Sequence, residues 1–228
     1  MPLRLVDVQQ SILRKNTTLA LELRDRFALS GTYVFNLLSS PGAGKTTLLE
    51  KTLRRLAERY SVGALVGDQA TDNDAVRLAR SGAPVRQITT GAECRLDAQM
   101  VTAALAEFAP SGELPDVLAI ENVGNLICPA EYDLGEDLRV VVFSVTEGED
   151  KPLKYPLAFA TAHAAVVSKI DLGVACGFDR ATALENIQRV HPGLRVLELS
   201  VRTGQGMEGW IDFLGDRIRA KRGSLQTR

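Results

Sequence analysis

The segment 33–47 has the residue types and the spacing of a phosphate-binding loop. An apolar, strand-like run ends in a Gly-rich turn, and Lys45 and Thr46 open a segment of helix-forming residues. Gly42 and Gly44 allow backbone N–H groups to approach phosphate oxygens closely, and the N-terminus of the following helix favours negative charge. The lysine ammonium can reach the β- and γ-phosphates, and the threonine hydroxyl can ligate Mg²⁺. The sequence therefore predicts that this turn binds a nucleoside triphosphate.

The loop departs from the usual pattern at one position. Ser39 stands where such loops usually have their first glycine, and the loop tolerates a serine there if Ser39 still lies on the strand. A turn that binds nothing is the alternative interpretation, and it is disfavoured because both the spacing and the strand–helix context are met. The predicted nucleotide contacts in this loop are Gly42, Ala43, Gly44, Lys45, Thr46 and Thr47.

The composition argues against several classes of partner. The 228 residues include 27 Lys and Arg against 28 Asp and Glu, so no basic excess indicates nucleic acid binding. The basic residues within 217–222 are interpreted as the solvated face of a terminal helix. Apolar runs such as 140–143 are far shorter than the ~18 residues of a membrane span, and residues 1–10 lack the pattern of a secretory signal. We therefore expect neither nucleic acid nor a membrane as a partner.

The three cysteines indicate the cellular compartment, and the two histidines do not form a motif. Cys94, Cys128 and Cys176 make an odd count in a chain of this size, so a disulfide framework is not expected. A reducing cytoplasm is the expected location. The two histidines, His163 and His191, are isolated in the sequence and are expected to be structural, and Cys176 is given no role.

Strand-like and helix-like segments alternate along the chain. Several strand candidates are continuous apolar runs, which is typical of strands covered by helices on both sheet faces. The alternation predicts an α/β fold with a mostly parallel sheet of about seven strands and ligands at the carboxyl ends of those strands, and the phosphate-binding loop makes the P-loop NTPase type the expected fold. We expect a single domain over residues 1–228. Its first 30 residues are expected to form one or two amphipathic helices, with apolar positions at Leu5, Val8, Ile12, Leu19, Leu23 and Phe27. Strands are expected at 33–39, 61–67, 84–88, 116–121, 138–145, 164–168 and 195–200, and helices at 45–59, 72–81, 94–108, 152–162, 179–190 and 206–220.

A second motif predicts which base the nucleotide carries. The apolar run 164–167 is followed by Ser168-Lys169-Ile170-Asp171, which approximates the Asn-Lys-x-Asp guanine signature. The Asp171 carboxylate can accept from both N1–H and N2–H₂ of guanine. Adenine offers no such donor pair, and leaving the carboxylate unpaired costs about 1–3 kcal/mol. The Lys169 stem can lie along the base plane. Ser168 replaces the usual asparagine and weakens the match. The stretch 199–204 lies where a last guanine loop is expected.

Acidic residues at two predicted strand ends suit a Mg²⁺ site. Asp68 ends the second strand, and Glu121 ends the strand at 116–120 and precedes Asn-Val-Gly, a variant of the Asp-x-x-Gly element that senses a γ-phosphate. Asp74 lies in the helix after Asp68, where it can meet the nucleotide. Asp72 is interpreted as an ordinary acid at a helix N-terminus. For Asp68 and Glu121 the strand-end positions favour metal binding.

Three longer segments, at 67–75, 121–131 and 144–156, resemble the HypB family of nickel–iron hydrogenase maturation GTPases, relatives of the urease accessory GTPase. The resemblance extends over roughly residues 30–215. It implies a P-loop GTPase that forms a GTP-dependent homodimer and helps to deliver nickel to the hydrogenase large-subunit precursor. A small zinc- and nickel-binding accessory protein is the further implied partner. The resemblance also implies that Asp74 activates water, and that Mg²⁺ is held by Thr46 with neighbouring acids, for which we choose Asp68 and Glu121.

The implied cargo-metal site is where this chain departs from the family. The family has a Cys-His pair after the third strand and a cysteine in the Asn-Leu-x-Cys-Pro turn, which bind nickel or zinc at the dimer interface. The matching residues here are Cys94, Arg95 and Cys128. A guanidinium has no free lone pair, so Arg95 cannot replace the imidazole. If the dimer brings both cysteine pairs together, four sulfurs could hold nickel or zinc. The alternative is that Cys94 and Cys128 are small buried residues left from a lost site.

Three functions stay open at this point. The first is an enzyme in which GTP hydrolysis, slow without a partner, switches the dimer and with it metal or partner affinity. The second is a degenerate GTP-binding scaffold that docks the hydrogenase precursor without carrying metal, which Arg95 motivates. The third is a metallochaperone GTPase for another metalloenzyme, or an ATP-using P-loop kinase.

Overall fold

The computed structural model describes the backbone of residues 3–226 and the side chains of residues 10–223. The predicted apolar positions Leu5 and Val8 therefore lie outside the described side chains. No helix in the described range combines the length and the apolar character needed to cross a membrane.

Seven strands within residues 3–226 form one sheet, and every paired strand is parallel to its neighbour. They are β1 Tyr33–Ser39, β2 Val62–Asp68, β3 Val85–Thr89, β4 Val117–Glu121, β5 Leu138–Ser144, β6 Ala164–Ser168 and β7 Arg195–Glu198. The order across the sheet is β3-β2-β4-β1-β5-β6-β7. The predicted α/β class with a parallel seven-stranded sheet is confirmed, and each strand lies within two residues of its expected bounds.

Helices cover both faces of this sheet. They are α1 Leu3–Ser30, α2 Lys45–Leu56, α3 Asn73–Ala79, α4 Ala98–Phe108, α5 Lys151–Lys154, α6 Pro156–Ala160, α7 Gly173–Cys176, α8 Arg180–Val190 and α9 Met207–Gln226. Short 3₁₀ turns occur at Cys128–Glu131, Val145–Glu147 and Ile170–Leu172. The N-terminal segment is one long helix rather than two.

Four helix predictions were wrong in their bounds. The helix expected at 45–59 ends at Leu56, and the one expected at 206–220 continues to Gln226. The helix expected at 94–108 begins only at Ala98, because the Asp97 side chain accepts a hydrogen bond from the Met100 N–H and caps the helix there. Cys94 and Arg95 therefore lie in the preceding loop. The helix expected at 152–162 is divided into α5 and α6, because Pro156 has no N–H to continue the hydrogen-bond ladder of α5.

The core explains why the strands read as continuous apolar runs. All seven residues of β1 and all seven of β5 are buried. On one face, Leu53 of α2 and Trp210 of α9 pack against the sheet, and on the other Phe27 of α1 and Leu105 of α4 do so. The polar residues Ser39, Asp68 and Glu121 end β1, β2 and β4 at the carboxyl edge of the sheet. The chain leaves β1 between its neighbours β4 and β5, so the turn after β1 opens at a topological switch point.

Candidate nucleotide site and cysteine pair

The turn between β1 and α2 has the backbone of a phosphate cradle. Gly42 and Gly44 have φ of 78° and 91°, in the left-handed region that favours glycine. The helix α2 begins at Lys45, directly after Gly44. Ser39 is the last residue of β1 and is buried, so the serine that replaces the usual first glycine lies on the strand as the loop requires.

Lys45 and Thr46 meet a carboxylate from β4. The Lys45 ammonium and the Thr46 hydroxyl each donate a hydrogen bond of 2.7 Å to the same oxygen, Glu121 Oε1. Glu121 is fully buried, and its other oxygen, Oε2, is buried without a hydrogen-bond partner among the described residues. A buried carboxylate oxygen without a donor, next to a threonine hydroxyl, fits the oxygen ligands that Mg²⁺ requires.

Asp68 contributes a second carboxylate at the same edge. Its Oδ1 accepts from the N–H groups of Ala70 and Thr71, at 2.9 Å and 2.8 Å. Burial raises the pKa of Asp68, but these hydrogen bonds and the Lys45 charge outweigh it and hold the pKa below its ordinary value. Asp68 is therefore ionised at neutral pH, as a cation ligand must be.

A cavity of about 670 Å³ lies above the phosphate loop. The structure brings Asp68 and Asp74 to its wall together with the loop, whereas Glu121 does not line the cavity and instead contacts Lys45, which does. Asp72 takes the N-cap position of α3 without a side-chain capping bond. Sequence reasoning missed Arg77, which also lines the cavity. It lies one helical turn after Asp74, so the (i, i+3) spacing on α3 is the signal that could have found it.

A second cavity, of about 210 Å³, adjoins the first, since Ala43, Gly44, Thr47 and Lys169 line both. Its remaining wall is formed by the two segments predicted to bind guanine: Ser168, Asp171, Leu172, Ser200, Val201 and Arg202. The structure therefore places the predicted base-reading residues next to the phosphate loop.

Two side chains fasten the predicted base-reading segment to the phosphate loop. Ser168 Oγ donates 2.6 Å to the carbonyl oxygen of Ala43, and Lys169 Nζ donates 2.6 Å to that of Gly42. Lys169 has a left-handed φ of 57°, the one non-glycine residue with positive φ in the described range. Such a strained backbone is commonly retained at binding sites.

The two predicted metal-binding cysteines lie together. Cys94, in the loop before α4, and Cys128, in the 3₁₀ turn after β4, are joined as a disulfide with Cα atoms 6.4 Å apart. The expectation that no disulfide forms was therefore wrong for this pair, because the fold brings together two loops that are 34 residues apart in sequence. Within the described part of the chain, no group of three or more His, Cys, Asp or Glu residues is arranged to hold a metal ion. Cys176 is exposed and unbridged.

Arg95, at the position of the family's histidine, is engaged elsewhere. Its guanidinium lies over the Tyr132 ring at 3.9 Å from the centroid, and it pairs with Glu93. The two histidines make backbone hydrogen bonds, consistent with structural roles. His163 Nδ1 accepts from the Arg139 N–H at 2.8 Å, and His191 Nδ1 lies 3.0 Å from the carbonyl oxygen of Phe159.

Comparisons with known proteins agree on one family. A family model described as the CobW/HypB/UreG nucleotide-binding domain matches residues 33–198. The hydrogenase maturation factor HypB of Rhizobium leguminosarum bv. viciae is 46% identical over 225 residues, covering 99% of this chain and 74% of that protein. The crystal structure of HypB from Helicobacter pylori in complex with nickel has a TM-score of 0.84 at 38% identity, over 91% of this chain and 97% of that one. The structure of HypB from Archaeoglobus fulgidus has a TM-score of 0.83 at 40% identity, over 90% and 99% of the two chains. The chain belongs to the CobW/HypB/UreG family of P-loop proteins and, within it, to the hydrogenase maturation factors of the HypB type.

Proposed function

We propose that this protein binds and hydrolyses GTP and uses the hydrolysis cycle to deliver nickel during maturation of nickel–iron hydrogenase. The relatives named as hydrogenase maturation factors support this function over a scaffold without metal and over a chaperone for another metalloenzyme. The observation on which the proposal mainly depends is the pair of adjoining cavities, one walled by the phosphate loop and the other by Asp171 and Lys169.

In this proposal the chain's own groups position the triphosphate. Backbone N–H groups of residues 42–47 surround the phosphate oxygens, and the Lys45 ammonium offsets charge that develops on the β- and γ-oxygens. Asp74, on the cavity wall, orients the attacking water. Lys45 must exchange its hydrogen bond with Glu121 for one with phosphate. The Glu121 carboxylate would then be free to bind a cation.

Thr46, Asp68 and Glu121 are the proposed Mg²⁺ ligands. Bound there, Mg²⁺ would neutralise part of the phosphate charge. The hydroxyl of Thr46 and the unpartnered oxygen of Glu121 support this assignment. Arg77 is the only arginine that lines the phosphate cavity among the described residues, and it pairs with Glu50 at 3.2 Å. Because none of the described arginines that line this cavity is unpaired, we expect slow hydrolysis by the isolated chain.

The cargo site is proposed at Cys94 and Cys128. Their reduced sulfurs are close enough to hold one ion, and soft thiolates suit nickel or zinc. This pair supplies two sulfurs per chain, so a GTP-dependent homodimer that joins two pairs would complete four ligands. Nickel is the proposed cargo, and zinc is the competing occupant. The implied partners are the small zinc- and nickel-binding accessory protein and the hydrogenase large-subunit precursor, in the cytoplasm.

A lysine substitution tests the enzymatic part of the proposal. Lys45→Ala should abolish GTP binding or turnover, because the ammonium that offsets the phosphate charge is removed. Lys51→Ala, an exposed lysine on the same helix, is the matched control and should behave like the unaltered protein. Phosphate release from GTP in Mg²⁺ buffer is the measurement. Unchanged hydrolysis by Lys45→Ala would contradict the proposal.

We further propose that residues 1–228 act as one domain. Phe27 of α1 and Trp210 of α9 are both fully buried against the sheet, which supports a single folding unit.

A further inference from the structure

Two asparagine side chains fasten the loop after β4 to the loop that contains Cys94. Asn122 Oδ1 accepts a hydrogen bond of 3.1 Å from the Leu96 N–H. Asn125 Nδ2 donates one of 3.3 Å to the carbonyl oxygen of Cys94. The two bonds hold an N–H and a C=O of the same three-residue segment, 94–96. We call these two side chains the amide clamp.

The clamped loop also contacts the phosphate site. Val123 and Gly124 line the phosphate cavity. Gly124 packs so closely on the phosphate loop that a Cβ there would lie 3.3 Å from Pro41 Cγ. Asn125 forms an isolated backbone bridge with Ser39, at the end of β1. A shift of this loop toward a γ-phosphate would therefore move the clamp.

The clamp reaches the second cysteine as well. Asn125 Oδ1 accepts a hydrogen bond of 2.9 Å from the N–H of Ile127, the residue before Cys128. One side chain thus holds the carbonyl of Cys94 and the N–H of the residue before Cys128. Any change in the orientation of Asn125 alters the backbone beside both sulfurs.

Asn122 is the fixed end of the clamp. It is fully buried, and its Nδ2 lies 3.5 Å from Asn36 Oδ1, in the middle of β1. Asn36 Nδ2 in turn donates 3.3 Å to Glu136, which also accepts from Arg139 at 2.8 Å. A buried polar network of this kind holds its members in one arrangement because an unmade bond there is costly. Asn125 is only partly buried and is the end that can respond.

We propose that Asn122 and Asn125 are positioning residues that couple the occupancy of the γ-phosphate site to the geometry of Cys94 and Cys128. The inference rests on the proposed function, since it requires a guanine nucleotide at the phosphate loop. A nucleotide can shift the cysteines only through contacts that differ between the GDP-bound and GTP-bound states, and in this proposal those contacts are the hydrogen bonds of the clamp.

The reactivity of the two thiols tests this coupling without any metal. The full chain is reduced, kept dilute enough to be monomeric, and saturated with Mg²⁺ and either GDP or the non-hydrolysable β,γ-imido analogue of GTP. Alkylation of Cys94 and Cys128 by iodoacetamide is followed by mass spectrometry. In the unaltered protein the rates in the two nucleotide states should differ at least about fivefold, the lower range of allosteric coupling.

Asn125→Ala removes both side-chain hydrogen bonds, and the difference between nucleotide states should fall to within about twofold. Asn125→Asp keeps the acceptor for the Ile127 N–H but loses the donor to the Cys94 carbonyl, so it should lose the coupling of Cys94. Asn186→Ala is the matched control. Asn186 Nδ2 also donates to a backbone carbonyl, that of Glu149 at 3.0 Å, away from both cavities. In Asn186→Ala the alkylation rates of Cys94 and Cys128 should differ between the two nucleotide states as much as they do in the unaltered protein.

Thermal unfolding separates coupling from stability, because a purely structural role lowers the melting temperature without changing the ratio of rates. Equal alkylation rates in both nucleotide states of the unaltered protein overturn the clamp inference while leaving GTP hydrolysis intact. An undiminished ratio in both Asn125 variants also overturns it. Failure of the proposed function is distinct, because the unaltered protein would then not bind either nucleotide.

Discussion

The hydroxyl of Ser168 lies 2.6 Å from the carbonyl oxygen of Ala43 and donates a hydrogen bond to it across 125 residues of sequence. Ser168 is buried, and it ends β6 where the guanine signature usually has asparagine. The serine therefore tethers the predicted base-reading segment to the phosphate loop. A hydroxyl has one hydrogen to donate, and here the backbone carbonyl takes it.

Ser168→Ala should weaken nucleotide binding without abolishing it. The substitution leaves the Ala43 carbonyl without this donor, at a cost of about 1–3 kcal/mol if no water replaces it. We expect the dissociation constant for GDP to rise roughly tenfold. Thr161→Ala, which removes a hydroxyl bond to a carbonyl within α6, is the control and should leave the affinity unchanged. An unaffected GDP affinity in Ser168→Ala would show that the tether is dispensable.

Asp171→Asn should exchange the base preference. In the proposed site the carboxylate would accept two hydrogen bonds from guanine, whereas an amide would accept one and donate one, which matches the N1–H and C2 carbonyl of xanthine. We expect GTP affinity to fall on the order of 100-fold and xanthosine triphosphate affinity to rise. Competition binding with the two nucleotides measures this. If Asp171→Asn still prefers GTP, Asp171 does not read the base.

Nickel binding should depend on both cysteines and on reduction. The reduced protein with GTP is expected to take up nickel with a charge-transfer absorption typical of thiolate ligands, and the oxidised protein, with Cys94 bonded to Cys128, should not. Cys94→Ala and Cys128→Ala should each lose the signal, while Cys176→Ala, at an exposed cysteine away from the pair, should keep it. Nickel uptake that survives loss of Cys94 and Cys128 together would place the cargo site elsewhere.

The ion pair of Asp133 with Arg24 should make stability depend on pH in the acid range. Burial raises the pKa of Asp133, but hydrogen bonds from Arg24 and the Gly135 N–H outweigh it, so its pKa lies below the ordinary value. A lowered carboxyl pKa stabilises the fold above the unfolded value of 3.8, and this contribution is lost as the pH falls through the folded value.

Asp133→Asn should therefore lower the free energy of unfolding by about 1 kcal/mol at pH 7, since the pair is partly exposed. The difference in the free energy of unfolding between Asp133→Asn and the unaltered protein should shrink as the pH falls below 3.8. Asp216→Asn, which removes an exposed ion pair with Arg219, is the control and should show little effect. Urea titrations across this range provide the measurement. A difference that stays constant with pH would mean that the Asp133 charge is not responsible.

The features that depend on local sequence patterns, such as the phosphate loop and the buried strands, could be predicted from the sequence alone. The spacing of Gly42, Gly44 and Lys45 is a local requirement of backbone conformation and charge, and the structure has the turn and the helix start where the pattern indicates. Buried strands such as β1 and β5 are recognisable because both of their faces are apolar. The alternation of these strands with helices is sufficient to predict the fold class.

Long-range relationships could not be predicted in this way. Cys94 follows β3 and Cys128 follows β4, two strands that are separated in the sheet by β2, so their approach depends on how both loops turn. The bond of Ser168 to Ala43 likewise depends on the final packing of β6 beside the phosphate loop. Asn36 is buried in the middle of an apolar strand, and the sequence around it does not indicate that its hydrogen-bond partners are Asn122 and Glu136.

The most direct test of the account is calorimetry of the reduced, unaltered protein with GTP and with ATP in Mg²⁺ buffer. If Asp171, beside the phosphate loop, accepts two donors from guanine as proposed, GTP binding should be saturable, with a preference over ATP on the order of 100-fold. Equal affinity for the two nucleotides, or no heat of binding with GTP, would contradict it.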